Sequence, residues 1–137
     1  MLIFKRPSEM EFRQVRRLVE KYRLNTNDLN PDEFTILKSD EKLLAFGCVR
    51  TMDNYAELDC IGVVEERKSK DWTSMIIKKL VDSGPQTIWL ATDSPRYYEQ
   101  FNFVTSKQIP KELARKLEGA EPSGKNRLKG MVLTKKK

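Results

Sequence analysis

Ala56-Glu57-Leu58-Asp59-Cys60-Ile61-Gly62-Val63-Val64-Glu65-Glu66-Arg67-Lys68-Ser69-Lys70-Asp71-Trp72-Thr73-Ser74-Met75-Ile76-Ile77-Lys78-Lys79-Leu80 is the stretch whose reading decides the fold. Residues 55–64 are rich in types that suit a pleated surface and predict a strand. A charged and polar run follows. Over 73–81, Trp72, Met75, Ile76, Lys79 and Leu80 then recur at helical spacing, with Ile77 and Val81 widening the apolar stripe. Ser69, Asp71 and Thr73 are each suitable helix N-caps. A strand, a polar turn and a capped helix make a place for an anion, because the first backbone N–H groups of a helix have no partner within it.

Working outward, residues 2–6 read as a strand ended by Pro7. Ser8 with Glu11 forms a capping box, and Phe12, Val15, Leu18, Val19 and Tyr22 give one apolar helix face to about residue 23. Residues 25–31 read as a loop or one short helical turn. Residues 34–37 and 43–51 are strands, with Gly47 marking a bulge or a close backbone approach. Asp53-Asn54 turns into the strand over 55–64. That hairpin sets Cys48 and Cys60 at matching distances from its turn; they read as a reduced, buried pair.

Beyond the central helix, Ser83-Gly84-Pro85 stops the chain and residues 87–91 read as a buried strand. Pro95 opens a helix bearing Tyr97, Tyr98 and Phe101. Residues 103–105 read as a sixth strand, Ile109-Pro110 leads a helix to about residue 117, and residues 131–134 read as a final edge strand. The order, β-α-(α)-β-β-β-α-β-α-β-α-β, predicts an α/β chain: a mixed sheet covered by helices, in one domain over 1–137.

Composition narrows the chemistry. The chain has 137 residues, no histidine and two cysteines. A zinc site and a histidine-dependent triad are therefore not expected, nor is a disulfide framework. No apolar run approaches a membrane span, and the first residues do not have the order of a signal peptide, so a cytoplasmic location is the default expectation. The net charge of +6 is unevenly spread: residues 105–137 hold ten Lys/Arg against three Asp/Glu. The basic segment from about residue 119 is either a solvated tail or an attractor of a polyanion, whether nucleotide or nucleic acid. A base-stacking platform is disfavoured there, because residues 105–137 contain no Phe, Tyr or Trp, which leaves loose phosphate contact open.

The window Lys68-Ser69-Lys70-Asp71-Trp72-Thr73 resembles the cofactor motif of the GNAT superfamily of N-acetyltransferases, in which (Arg or Gln)-x-x-Gly-x-(Gly or Ala) follows a strand. Lys68 stands at the Arg/Gln position, and Asp71 and Thr73 at the small positions. Within the superfamily the chain is most similar to small amino-acid acetyltransferases of the N-acetylglutamate-synthase type. The matching segments are Ala56-Glu57-Leu58, then Tyr97-Tyr98-Glu99-Gln100-Phe101-Asn102-Phe103, then Ile109-Pro110-Lys111-Glu112-Leu113. The resemblance covers roughly residues 2–118 and implies the GNAT fold, with acetyl-CoA as co-substrate and a primary amine or amino acid as acceptor. It leaves a homodimer open.

It further implies that Ile61, Gly62, Val63, Lys68, Ser69, Lys70, Asp71, Trp72, Thr73 and Ser74 hold the cofactor. It makes Glu57, fourteen residues before Asp71, the general base, and Tyr98 the acid that protonates the departing thiolate. Each has a plainer reading beside it. Glu57 is also a suitable strand-pair carboxylate, Tyr98 a core aromatic, and Asp71 a carboxylate that caps the helix and fills the anion site itself. A GNAT-fold protein with weakened or lost acetyl-CoA binding, serving as a regulatory or protein- or nucleic-acid-binding module, is the alternative. Residues 24–29, where an amine pocket is expected, carry no recognisable code; Asp28 and Asp59 are carboxylates able to attract an ammonium, but read first as turn and strand-surface residues.

Overall fold

A computed structural model describes residues 1–64, 70–118 and 128–135. The described residues form seven strands and four α-helices: β1 (Leu2–Lys5), α1 (Glu9–Lys21), β2 (Phe34–Ser39), β3 (Lys42–Thr51), β4 (Ala56–Val63), α2 (Lys70–Ser83), β5 (Thr87–Thr92), α3 (Pro95–Glu99), β6 (Val104–Thr105), α4 (Lys111–Glu118) and β7 (Lys129–Thr134). A single 3-10 turn, Pro31–Glu33, precedes β2. The strands form one mixed sheet in the order β1-β2-β3-β4-β5-β7-β6. The β4–β5 pair is parallel, with Glu57 opposite Trp89, while β1–β2, β2–β3, β5–β7 and β6–β7 are antiparallel. This is the element order expected from the sequence, with one difference at the sheet's end. Residues 131–134 were expected at an edge, but β7 lies between β5 and β6, and the two-residue β6 is the edge. Its length explains the exchange: β7 pairs over six residues with β5, where most of its backbone groups are satisfied.

The described residues fall into two compact units. Met1–Arg50 and Leu58–Gly84 form the first; Thr51–Glu57 and Pro85–Lys137 form the second. In the first, α1 starts at the expected capping box: the Ser8 hydroxyl accepts from the Glu11 amide and the Glu11 carboxylate accepts from the Ser8 amide. Its apolar face, Phe12, Val15 and Val19, buries against Phe34 and Ile36 of β2 and Leu43, Phe46 and Cys48 of β3. The Phe12 and Phe34 rings meet edge to face, 5.5 Å between centroids. Six successive residues of β3, Leu43 to Cys48, are buried, as for a strand covered on both faces. Gly47 makes the close approach expected of it: a Cβ there would lie 2.5 Å from Ile61 and 2.7 Å from Leu80 of α2. Ile76, Ile77, Leu80 and Val81 are the buried stripe of α2, whereas Lys79 is exposed, with its ammonium 5.8 Å from the Phe4 ring centroid.

In the second unit, Ile88 and Leu90 of β5, Met131 and Leu133 of β7 and Leu113 of α4 are buried, and α4 packs on both strands. β5 was expected, over residues 87–91, to form a buried strand. Its burial instead alternates, as for a strand with one face on the core.

Candidate functional site

Glu57 stands second in β4, and only 5% of its side chain is exposed. The ammonium of Lys116 lies 2.6 Å from its Oε2. Lys116 comes from the last turn of α4, three residues after the fully buried Leu113 and so on the adjoining face of the helix. The apolar anchor of α4 thus aims a lysine at a strand carboxylate 59 positions away in the chain. A carboxylate this buried needs a partner, because removing its cation leaves a desolvated charge costing several kcal/mol, about 3–5 in comparable pairs. Sequence patterns carried no sign of Lys116; its position relative to Leu113 was the available clue.

Tyr98 lies in α3, which begins at Pro95 as expected. Its half-buried ring packs perpendicular to Phe103 at 6.1 Å and to Tyr97 at 5.2 Å, and lies 6.3 Å from Phe101. Burial raises the Tyr97 phenol above its ordinary value. Asn102 takes φ 73°, the left-handed conformation for which glycine is the common choice and asparagine the next best. Its amide donates to the Glu99 carbonyl at 3.0 Å and closes the turn that carries Phe103 back to the sheet. Glu57, Lys116 and Tyr98 all belong to the second unit.

The expected cofactor turn belongs to the first unit. Ile61 and Val63 are half-buried at the end of β4, and Gly62 is buried. Gly62 has a packing reason for its identity: a Cβ there would lie 2.3 Å from the Phe46 ring, which itself stacks at 6.4 Å on Tyr22. Helix α2 begins at Lys70, earlier than the pattern over 73–81 suggested. Asp71, Trp72 and Thr73 therefore lie inside its first turn, and the expectation that Asp71 or Thr73 caps the helix is corrected. Asp71 is exposed, and the Ser74 hydroxyl donates to its carbonyl at 3.0 Å. Lys68 and Ser69 lie outside the described residues, as does the basic segment over 119–127.

One polar cluster in the first unit has no counterpart among the expected sites. Arg50, 6% exposed, donates from Nε to Asp59 Oδ2 at 2.8 Å and from Nη2 to the Asn25 carbonyl at 2.8 Å. It also donates to the Asn27 carbonyl and, at 3.4 Å, to the Cys60 sulfur. Asp59 accepts besides from Asn25 Nδ2 at 3.2 Å and from the Cys60 amide at 2.9 Å. It is an ion-paired, half-buried group and not the strand-surface residue expected. Cys60 sits at φ 54°, an irregularity of the β-bulge kind that follows two successive buried residues, Glu57 and Leu58.

Both cysteines are free and buried, as read from the sequence. The hydrogen bond between them and desolvation push the Cys48 thiol up. That same bond lowers the Cys60 thiol, helped by Arg50 and opposed by burial and Asp59. The cluster fixes the loop after α1 to the sheet. An arginine among the apolar residues of β3, with asparagines in the loop, was its only sequence signal.

The fold has close counterparts among solved structures. N-acetylglutamate synthase from Neisseria gonorrhoeae, complexed with coenzyme A and N-acetyl-glutamate, superposes with a TM-score of 0.77 at 13% identity, over 100% of this chain and 36% of that one. Rv2747 from Mycobacterium tuberculosis, in complex with CoA and NLQ, gives 0.72 at 13% identity, over 98% and 99% of the two chains. The ribosomal-protein-S18-alanine N-acetyltransferase from Escherichia coli gives 0.68 at 15% identity, over 98% and 94%. No family model and no curated protein matches the sequence. At these identities the likeness is one of fold, and it agrees with the strand order and the parallel β4–β5 pair: the chain has the GNAT acetyltransferase fold.

Proposed function

We propose that the protein transfers an acetyl group from acetyl-CoA to the primary amine of an amino acid or another small amine. The observation that carries this reading is the buried Glu57 carboxylate on β4 of a GNAT-fold chain, with Tyr98 on the helix after β5. The first-turn amides of α2 lack helical partners and suit a pyrophosphate, and two of the solved relatives were determined with coenzyme A. Asp71 opposes that fit with one exposed carboxylate. Its repulsion costs on the order of 1 kcal/mol at a solvated helix end, less than several amide hydrogen bonds contribute.

Acetyl-CoA supplies the acyl group as a thioester. Glu57 takes the proton that the acceptor ammonium must lose before its nitrogen can bond to the acyl carbon. As the carbon–sulfur bond breaks, the Tyr98 phenol gives its proton to the sulfur and is restored by the second proton that the acceptor nitrogen sheds on becoming an amide. The rings of Tyr97, Phe101 and Phe103 hold the Tyr98 ring in place, which fixes the position of its phenol.

Calorimetric titration of acetyl-CoA at low salt tests the reading. It requires saturable binding at or below high micromolar concentration, about −5 to −6 kcal/mol. Glu57→Gln and Tyr98→Phe should each lower turnover with acetyl-CoA affinity unchanged. No binding at millimolar acetyl-CoA sinks the proposal.

A further inference from the structure

Cys48 and Cys60 stand opposite one another on the neighbouring strands β3 and β4. The Val64 amide donates to the Leu44 carbonyl at 2.9 Å, and two residues on along each strand a Cβ on Gly62 would run into the Phe46 ring. The next step of two brings Cys48 to Cys60, and both belong to the buried cluster that α1 covers. Residues opposed in this way on antiparallel strands have Cα atoms about 4.5 or 5.5 Å apart. Either spacing lies within the range of roughly 4.4–6.8 Å that a disulfide spans. Both thiols are free, and they are already hydrogen-bonded to each other.

Their surroundings differ. Cys60 has a cation beside it, with Arg50 Nη2 3.4 Å from its sulfur. The Cys48 hydrogen bond and the guanidinium lower the Cys60 thiol, against burial and Asp59, whereas the Cys48 thiol is pushed up. The thiolate is the nucleophilic form of cysteine, so Cys60 is the sulfur suited to react first. Its cover is thin. Cys60 Sγ donates to the Asn25 carbonyl at 3.2 Å, in a loop whose residues 26–28 are exposed. Arg23 and Asp28, at φ 57° and 48°, bracket that loop with left-handed backbone, and Cys60 itself takes φ 54°. Non-glycine residues in that conformation are strained and persist only where their neighbours hold them. Lifting one loop, without unfolding the core, uncovers the Cys60 sulfur.

We propose that Cys48 and Cys60 are a redox-sensitive thiol pair: a hydroperoxide oxidises Cys60, Cys48 closes a disulfide with it, and the loop over residues 23–28 is loosened. The Cys60 thiolate attacks the terminal peroxide oxygen and the O–O bond breaks, which gives a sulfenic acid and, with one proton, an alcohol or water. The Cys48 sulfur then bonds to the Cys60 sulfur and displaces its hydroxyl, which leaves as water with the Cys48 proton. Two electrons pass from the sulfurs to the peroxide, and both thiol hydrogens end in its products. The disulfide has no S–H, so the Asn25 carbonyl keeps Arg50 as a donor and loses Cys60. This chemistry is independent of acetyl transfer.

Hydrogen peroxide added to the reduced protein, with intact mass followed under non-reducing conditions, is the test. The mass should fall by two hydrogen atoms per chain, and dithiothreitol should restore it. A digest should contain Cys48 and Cys60 in one linked pair of peptides. With dimedone present, Cys48→Ser should gain an adduct on Cys60, and Cys60→Ser should be labelled about tenfold less on Cys48. Amide exchange at residues 25–28 should quicken about two- to tenfold in the oxidised protein, the equivalent of one hydrogen bond, and return on reduction. Circular dichroism checks that each variant is folded. Should a serine variant not fold, the alanine variant, which buries no hydroxyl, carries the same expectation.

A disulfide that forms only at urea concentrations that unfold the protein overturns the proposal. So do equal labelling of the two single-cysteine variants, a disulfide between chains in place of the internal one, and loop exchange that oxidation leaves unchanged.

Discussion

Replacing Arg50 by methionine should destabilise the first unit by about 3 kcal/mol. The substitution keeps most of the stem volume and deletes the guanidinium. Asp59, with 14% of its side chain exposed, then loses its cation, the Asn27 carbonyl loses its guanidinium donor, and the Asn25 carbonyl keeps only the Cys60 thiol at 3.2 Å. Removing one partner of a buried ion pair costs about 3–5 kcal/mol. The lower end applies, because Asp59 keeps its hydrogen bonds from Asn25 Nδ2 and the Cys60 amide. Urea unfolding followed by far-ultraviolet circular dichroism measures the loss. The double variant Arg50→Met/Asp59→Asn removes both charges, so its loss should fall short of the sum of the two single losses by at least about 1 kcal/mol. A loss below about 1 kcal/mol for Arg50→Met, or strict additivity in the cycle, would refute the view that this pair is what ties the loop to β3 and β4.

Three further outcomes follow from single sites. Burial alone would raise the Glu11 carboxyl, but hydrogen bonds from Lys38, Lys5 and Ser8 bring it down to about 2. A group depressed in the folded state contributes stability above its unfolded value, so urea-measured stability should fall by about 1–2 kcal/mol between pH 5 and 2, after allowance for the solvent-exposed Lys5, and Glu11→Gln should flatten that slope. Gly62→Ala should cost about 1–3 kcal/mol of urea-measured stability because its Cβ meets the Phe46 ring, and Phe46→Leu should relieve part of that cost. Asp71→Gly should tighten acetyl-CoA binding several-fold in calorimetry, less so at high salt, since it removes one exposed carboxylate from the first turn of α2.

Where the sequence was legible, the physics was local. The Ser8–Glu11 capping box joins residues only three apart in the chain. Asn102 at φ 73° ends a turn whose demands are set within five residues. The element order could be read because each strand and helix has its own hydrophobic period. The start of α2 was left open between Ser69, Asp71 and Thr73 because its first turn, Lys70 to Thr73, is mostly polar and has little apolar period to register; its helicity follows from Ile76, Ile77, Leu80 and Val81 being buried further on. β7 was placed at an edge because its interior position depends on β6 pairing outside it, and no pattern in residues 129–134 records that.

The site divides along the same line. Glu57 and Tyr98 could be singled out as candidates because a strand start and a helix after a strand are local features that can be matched to a family. Lys116 and Arg50 were missed because each acquires its meaning only from a carboxylate far along the chain: 59 positions for Lys116 and Glu57, and across a strand pair for Arg50 and Asp59. Charged residues are common on surfaces, and a lysine in the last turn of a helix is already explained by the helix dipole. What sets Lys116 apart is its spacing from Leu113, which turns an unremarkable position toward the interior, and the near-total burial of the carboxylate it meets. A buried carboxylate constrains its surroundings more than it reveals itself. The cation that satisfies it must come from whichever element packs alongside, and in this fold that element is α4.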